Sequence, residues 1–315
     1  MVETLLPDAP VASAELAGGQ IGTLALQSAR VQARRSVRPG LTVGALVELD
    51  RQRAKDPTQL ADVPEDAARV AATVAWKGDA VRADAELSAY ASVRDRVGLR
   101  LALRGAPEAD RGPSMTIGLR QVATESAPLR VAGMKDVLDL RWTQPLTGRD
   151  RIVAGVSPTR LLSQDGSTLG TGTVWSLEAA HRLRLEYPDV TLKALATVSD
   201  WRARPVADGA VAPRVPASVG DPTAAVIPAA SSEVAAGVSI GDSVAQTYSR
   251  ALRPFAEALL RANSVTGAGW SLRAGLTTSL LGTDRLSAFL GFLSPTPGLP
   301  DGVRLFGIAY HLPFR

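Results

Sequence analysis

There is no cysteine among the 315 residues, and there are only two histidines. No disulfide framework holds the chain together, and no Cys/His set has metal-ligand spacing. The absence suits an oxidising compartment, where stray disulfides trap a folding chain. Long apolar runs are missing too. None approaches the roughly 18 residues that a transmembrane helix needs. Net charge is small, +4. The arginines are scattered rather than clustered, which argues against a nucleic-acid partner. The Gly170–Gly172 pair lacks a third glycine and a strand–helix context, so it is not a dinucleotide loop. His181 sits on an apolar parity, and His311 belongs to the last strand on its inward parity. Neither has a Ser or Asp beside it in a catalytic pattern. The reading is therefore a non-enzyme without cofactor or metal. Aromatic residues make up only 4%. The start, Met1-Val2-Glu3-Thr4, has neither a basic nor an apolar leader region and is not a signal peptide.

What the chain has is alternation. Val81, Ala83, Ala85, Leu87, Ala89, Ala91 and Val93 oppose Arg82, Asp84, Glu86, Ser88, Tyr90, Ser92 and Arg94. After a polar turn it resumes as Val97, Leu99, Leu101 and Leu103 against Arg100 and Arg104. Period two means a strand with one apolar and one polar face. Soluble strands usually stop near five or six residues, whereas a strand crossing a bilayer needs about nine to eleven. This hairpin reads as a transmembrane one.

The rest of the chain repeats it. Such runs lie at 11–16, 21–35, 41–50, 68–77, 115–124, 129–142, 151–162, 173–185, 190–199, 233–244, 252–261, 270–280, 286–292 and 306–314. The expectation is one all-β domain over 1–315, a transmembrane up-and-down antiparallel β-barrel of about sixteen strands. A barrel hides its apolar residues at every second position, so ordinary average hydropathy does not oppose it. The 129–142 run slips parity near Gly133, which predicts a bulge. Both ends should face the periplasm. Such a barrel is exported, so the chain is expected to be a fragment or a mature form. Connections mostly alternate short and long, as in outer-membrane barrels, with 107–114 too long and 125–127 too short. The segment 203–232, rich in Ala, Pro and Val, is an extracellular or pore-mouth loop that folds into or over the mouth. Its prolines forbid a continuing ladder.

The polar parity points to a wet lumen of mixed charge. Its expected lining is Arg82, Asp84, Glu86, Arg100, Arg120, Asp139, Arg141, Glu178, Arg182, Arg184, Lys193, Glu257, Arg261 and Arg273. Rings of charged side chains set selectivity in pores. Opposite charges on neighbouring strands also pair and stiffen the wall. The five Trp residues (76, 142, 175, 201, 270) fall near strand ends, the interfacial position that suits an amphipathic ring. The last strand carries Gly307, Tyr310, Leu312 and Phe314, a C-terminal pattern that resembles the signal read by the barrel-insertion machinery. Outer-membrane lipid is the expected surroundings. A general diffusion porin for small hydrophilic solutes satisfies the same pattern.

Four segments carry a resemblance: Glu178 to Leu192 (EAAHRLRLEYPDVTL), Tyr248 to Glu257 (YSRALRPFAE), Gly269 to Gly275 (GWSLRAG) and the turn Leu281 to Leu286 (LGTDRL). Over roughly the last half of the chain these look like the C-terminal porin domain of the Pel-type exopolysaccharide secretion protein. The resemblance implies a sixteen-stranded outer-membrane barrel that exports an exopolysaccharide, a biofilm matrix polymer. It also implies a helical-repeat scaffold preceding the barrel and a periplasmic lipoprotein ring as partner. The polymer it implies is cationic, which favours an acidic path. The inward parity of this chain carries more Arg than Asp and Glu.

Overall fold

A computed structural model describes residues 10–105, 111–205, 209–242 and 249–313. Sixteen antiparallel strands close into one barrel, each paired with its sequence neighbours and β1 with β16. The first eight are β1 (Val11–Ile21), β2 (Leu24–Arg38), β3 (Leu41–Ala54), β4 (Asp66–Lys77), β5 (Val81–Ala91), β6 (Arg96–Gly105), β7 (Gly112–Val122) and β8 (Gly133–Pro145). The second eight are β9 (Asp150–Ser163), β10 (Thr168–Arg184), β11 (Val190–Ala203), β12 (Ser231–Ile240), β13 (Arg253–Asn263), β14 (Gly267–Thr278), β15 (Arg285–Leu293) and β16 (Val303–Pro313). Closure satisfies every strand edge, which is what allows strands to span lipid.

The alternation sorts side chains by face. Val31, Val47, Val70, Ala89 and Val97 stand opposite one another across β2 to β6. Val31 and Val70 are 57% and 51% exposed, as a lipid-facing row should be. One residue along, Glu15, Arg30, Glu48, Arg69, Tyr90 and Arg96 form the next row, on the opposite face. Leu99 belongs to the lipid face and Arg100 to the other. Leu99→Arg should cost about 2–4 kcal/mol of barrel stability, seen as a lower urea midpoint after refolding into lipid. Arg100→Leu should not lower it comparably. Equal midpoints for both variants would reverse the face assignment.

The start of β1 and the end of β16 lie at one end of the barrel, with the turns 39–40, 78–80 and 146–149. The connections 55–65, 123–132, 204–230 and 294–302 gather at the other end. Short periplasmic turns and longer outer connections are the rule for such barrels, so the second end is the outer mouth.

Two sequence expectations change here. Residues 129–132 do not begin a strand. A short helix, α1 (Ala127–Ala132), occupies the start of that run and β8 begins at Gly133. The parity slip at Gly133 is this helix-to-strand junction, where a Cβ would meet the carbonyl oxygen of Leu129 at 2.7 Å. The connection is therefore 123–132, long like others at its end, and not 125–127. The bulge lies instead in β7, where the register shifts between Gly118 and Gln121. On the 107–114 connection, residues 106–110 lie outside the described residues, and β7 already starts at Gly112.

Candidate functional site

The apolar core of this molecule sits in the outer mouth. Leu24, Leu60, Leu129, Val131, Leu161, Val211 and Val226 are among its most buried side chains. They come from the start of β2, the 55–65 connection, α1, the end of β9 and the 204–230 connection. Within the last, an Ala212–Arg214 turn and a second short helix, α2 (Pro222–Val226), carry the chain inward. Asp221 caps α2 through the backbone N–H groups of Thr223 and Ala224. The 204–230 connection meets 55–65 directly: Ser218 Oγ donates to Thr58 O at 2.7 Å, and Ala61 N donates to Arg214 O at 3.1 Å. These connections leave β11 and β3, eight strands apart in a sixteen-strand ring. They bridge the full diameter. Together they form a plug across the mouth, with its own hydrophobic core.

Polar contacts bind the plug together and to the wall. Ser126 Oγ donates to Val226 O at 2.7 Å, joining α1 to α2. Gln164 Nε2 donates to Val131 O at 3.0 Å. Trp201 lies flat on the wall at Gly172, where a Cβ would come within 2.2 Å of its ring, and it packs on the plug. Four tryptophans (76, 142, 175, 270) are about half exposed on the lipid face, but Trp201 is not an interfacial residue. The strongest tether is Arg130 of α1, whose Nη2 donates to Asp50 Oδ2 of β3 at 2.7 Å with both side chains largely buried. A helix held between β7 and β8 reaches β3 only through the interior. Asp50 therefore marks the inner face, and the pairing register carries that assignment round the wall.

By that register Arg82, Asp84, Glu86, Arg100, Asp139, Arg141, Glu178, Arg182, Lys193, Glu257, Arg261 and Arg273 occupy the inner face. Arg184 follows a register shift at the end of β10. Arg120 is a correction. It sits in the β7 bulge at φ 51°, and its N–H donates to Asp136, a residue of the outward parity. The bulge places one extra residue between the inward Gly118 and Gln121, so parity counting fails there.

Opposite charges pair along this face. Arg69 bridges Glu48 and Glu86, joining β3, β4 and β5. Arg261 grips Glu233 through Nη2 at 2.6 and 2.7 Å. Lys193 reaches Asp242 at 3.0 Å and pairs with Glu257 across β12, where the facing position is Gly237. Arg69, Glu48, Asp50 and Arg130 are missing from the sequence-derived lining set. Arg69 carries the right parity signal in its run, but Arg130 lies in what reads as a strand, and its partner is 80 positions away. Tyr310 and Leu312 face outward and Gly307 inward in β16. Phe314 falls outside the described residues.

Among the described residues no group of three or more His, Cys, Asp or Glu is placed to hold a metal. His181 Nδ1 pairs with Asp150 at 2.6 Å on the outward parity near the terminus-bearing end, with no nucleophile in the pair.

Residues 7–312 match the family described as PelB, C-terminal beta barrel domain. The chain belongs to that family. As a PelB-type barrel it resides in the bacterial outer membrane. Among solved structures it is similar to a bacterial polysaccharide outer membrane secretin, with a TM-score of 0.69 at 12% identity, covering 98% of this chain and 99% of that one. A BenF-like porin from Pseudomonas fluorescens Pf-5 aligns with a TM-score of 0.46 at 9% identity, over 97% and 98% of the two chains. No curated protein matches the sequence. The first likeness establishes the sixteen-stranded fold beyond the family. The PelB-type barrel described here is a transport architecture.

Proposed function

We propose that this PelB-type barrel is the conduit by which an exopolysaccharide leaves the periplasm, held shut at rest by the plug. The observation that carries the reading is the bridge between the 55–65 and 204–230 connections across the outer mouth. Sixteen-stranded barrels are wide enough for an aqueous channel, so a closed mouth argues for passage on demand. A diffusion porin keeps its constriction open to solutes. The lumen wall is polar and paired, which suits a hydroxyl-rich chain. Delivery from the periplasm falls to a helical-repeat scaffold and a lipoprotein ring.

The plug is also built to let go. In β3, where Arg130 of α1 docks, the buried Asp50 Oδ1 and both side-chain polar atoms of Gln52 have no hydrogen-bond partner among the described residues. Leaving such a group unsatisfied costs about 1–3 kcal/mol. Withdrawal of the plug hydrates them, so opening recovers part of what the apolar cluster loses.

A disulfide lock tests this. A Cβ at Gly22 would lie 3.8 Å from the Ala127 Cβ, within the range for a disulfide, and no native cysteine interferes. Gly22→Cys with Ala127→Cys ties α1 to the β1–β2 turn. Position 22 has φ 57°, which costs a side chain roughly 1–2 kcal/mol. In polymer-secreting cells the oxidised variant should retain polymer in the periplasm, and reductant should restore surface polymer. Undiminished export by the oxidised variant would show that α1 does not gate the pore.

A further inference from the structure

The lipid-facing wall is hollowed on one side, toward the outer mouth. Two outward rows cross the seam where β16 meets β1. Leu16, Ala29, Leu49 and Ala68 belong to one, and Phe306, Gly18, Gln27 and Arg51 to the other. Between them lies a depression of about 1070 Å³. Gly18, Ala29 and Ala68 give it a floor of small residues, and the exposed side chains of Leu16, Leu49 and Phe306 rise beside it. Phe306 packs so closely on Gly18 that a Cβ there would meet its ring at 2.7 Å.

The next outward row carries charge. Arg304 of β16 and Arg53 of β3 stand on it, both exposed, with Gln20 and Ala25 between them. Lys55 reaches the same Gln20, its Nζ donating to Oε1 at 2.5 Å. Arg51 borders the depression itself. Its partner Asp66 is 3.6 Å away with both side chains exposed, a kind of pair that contributes little. The other carboxylates of this rim lie off these rows. Asp56 accepts from Thr58 and, like Asp62, belongs to the stretch of 55–65 that meets the plug. Glu65 is in register with Gln52, on the inner parity, and Asp301 lies in the β15–β16 connection past the ladder. Three arginines and a lysine thus share the outward rows with one carboxylate. On the far side of the barrel the outward Arg160 is paired with Asp136, and Arg202 stands two positions from Asp200. An outward Arg costs little this close to the interface, and clustered cations at a membrane surface recognise anionic headgroups.

We infer that this seam is a binding site for a phosphorylated, multiply acylated glycolipid of the outer leaflet, of the lipid A class. An acyl chain lies in the depression, and phosphates meet Arg51, Arg53, Lys55 and Arg304. Arg304 and Arg53 are three strand spacings apart, about 14 Å. A disaccharide with a phosphate at each end covers that span, and a single phosphodiester headgroup does not. The site crosses the β1–β16 pairing that closes the ring, so the bound lipid braces the closure from outside. The inference depends on which end of the barrel faces out and not on what passes through the lumen.

Native mass spectrometry of the full chain, refolded in a non-ionic detergent and given lipid A, tests it. One lipid A should stay bound under activation that strips phosphatidylglycerol, and lipid A with both phosphates removed should be retained about tenfold less. The triple change Arg53→Gln, Lys55→Gln, Arg304→Gln should lower retention about tenfold or more. Ala29→Phe with Ala68→Phe fills the depression while keeping the charges, and should lower it several-fold. Arg160→Gln with Arg202→Gln, on the far side, should leave it unchanged. Lipid A held no better than phosphatidylglycerol, or retention indifferent to the phosphates or to either near-side variant, overturns the site and leaves only annular lipid. The comparison of phosphorylated with dephosphorylated lipid uses the unaltered chain, so it decides the matter even where a variant fails to fold.

Discussion

Removing residues 209–227 should convert a channel that is mostly closed into one that is mostly open, with single-channel conductance raised several-fold or more. The segment contributes Ala210, Val211, Val226 and Ile227 to the mouth cluster, with Val215 packed against it. It also makes the bridge to Thr58 and Ala61. The ladder does not need it. β11 and β12 are hydrogen-bonded neighbours from Val190↔Ile240 to Ser199↔Ser231, so a short turn can join them. Connections at barrel rims tolerate such change where they carry no ladder bonds. Planar-bilayer recording of the refolded variant gives the conductance, and heat-modified gel mobility reports whether the barrel is intact. Unchanged conductance in a folded barrel would mean that other connections close the mouth alone. Loss of the barrel would mean that plug and wall fold as one unit.

Arg130→Ala should have the second large effect, again on closure rather than on the barrel. It strips Asp50 of its ion-pair partner while α1 still covers it. Breaking a buried pair by removing one partner costs up to about 3–5 kcal/mol. That cost falls on the docked plug alone, because undocking returns Asp50 to water. Each 1.4 kcal/mol is about tenfold in an equilibrium constant, so the closed-to-open ratio should fall by about two to three orders of magnitude. Cells carrying the variant should become sensitive to large antibiotics that the outer membrane normally excludes. Pairing it with Asp50→Ala should restore closure in large part, since neither member then leaves a buried charge. A variant that melts earlier yet leaks no more than the parent would place this pair in barrel stability and not in gating.

The reach of the sequence and its limit have one physical source. The number of strands, their antiparallel order and the assignment of Val31, Val47, Leu87 and Leu99 to lipid all follow from period two, a property of each strand's own backbone. A bilayer enforces it along the part of a strand that crosses hydrocarbon, because every second side chain there meets lipid. The parity argument therefore places Glu86, Arg100, Glu178 and Lys193 together on one face with no knowledge of the fold. It fails at Arg120, where an extra residue in the bulge breaks the count. It fails again at 129–132, where Leu129, Val131 and Gly133 alternate like a strand while the chain forms α1. That segment is helical because its apolar side chains are buried all round in the plug, and no local pattern announces such a burial. Leu60 reads as one apolar residue in a polar loop, yet it is fully buried. Arg130 and Asp50 have no sequence relation at all. Only closure of the barrel brings β1 against β16, turns the long connections toward one axis and lets them fill the mouth.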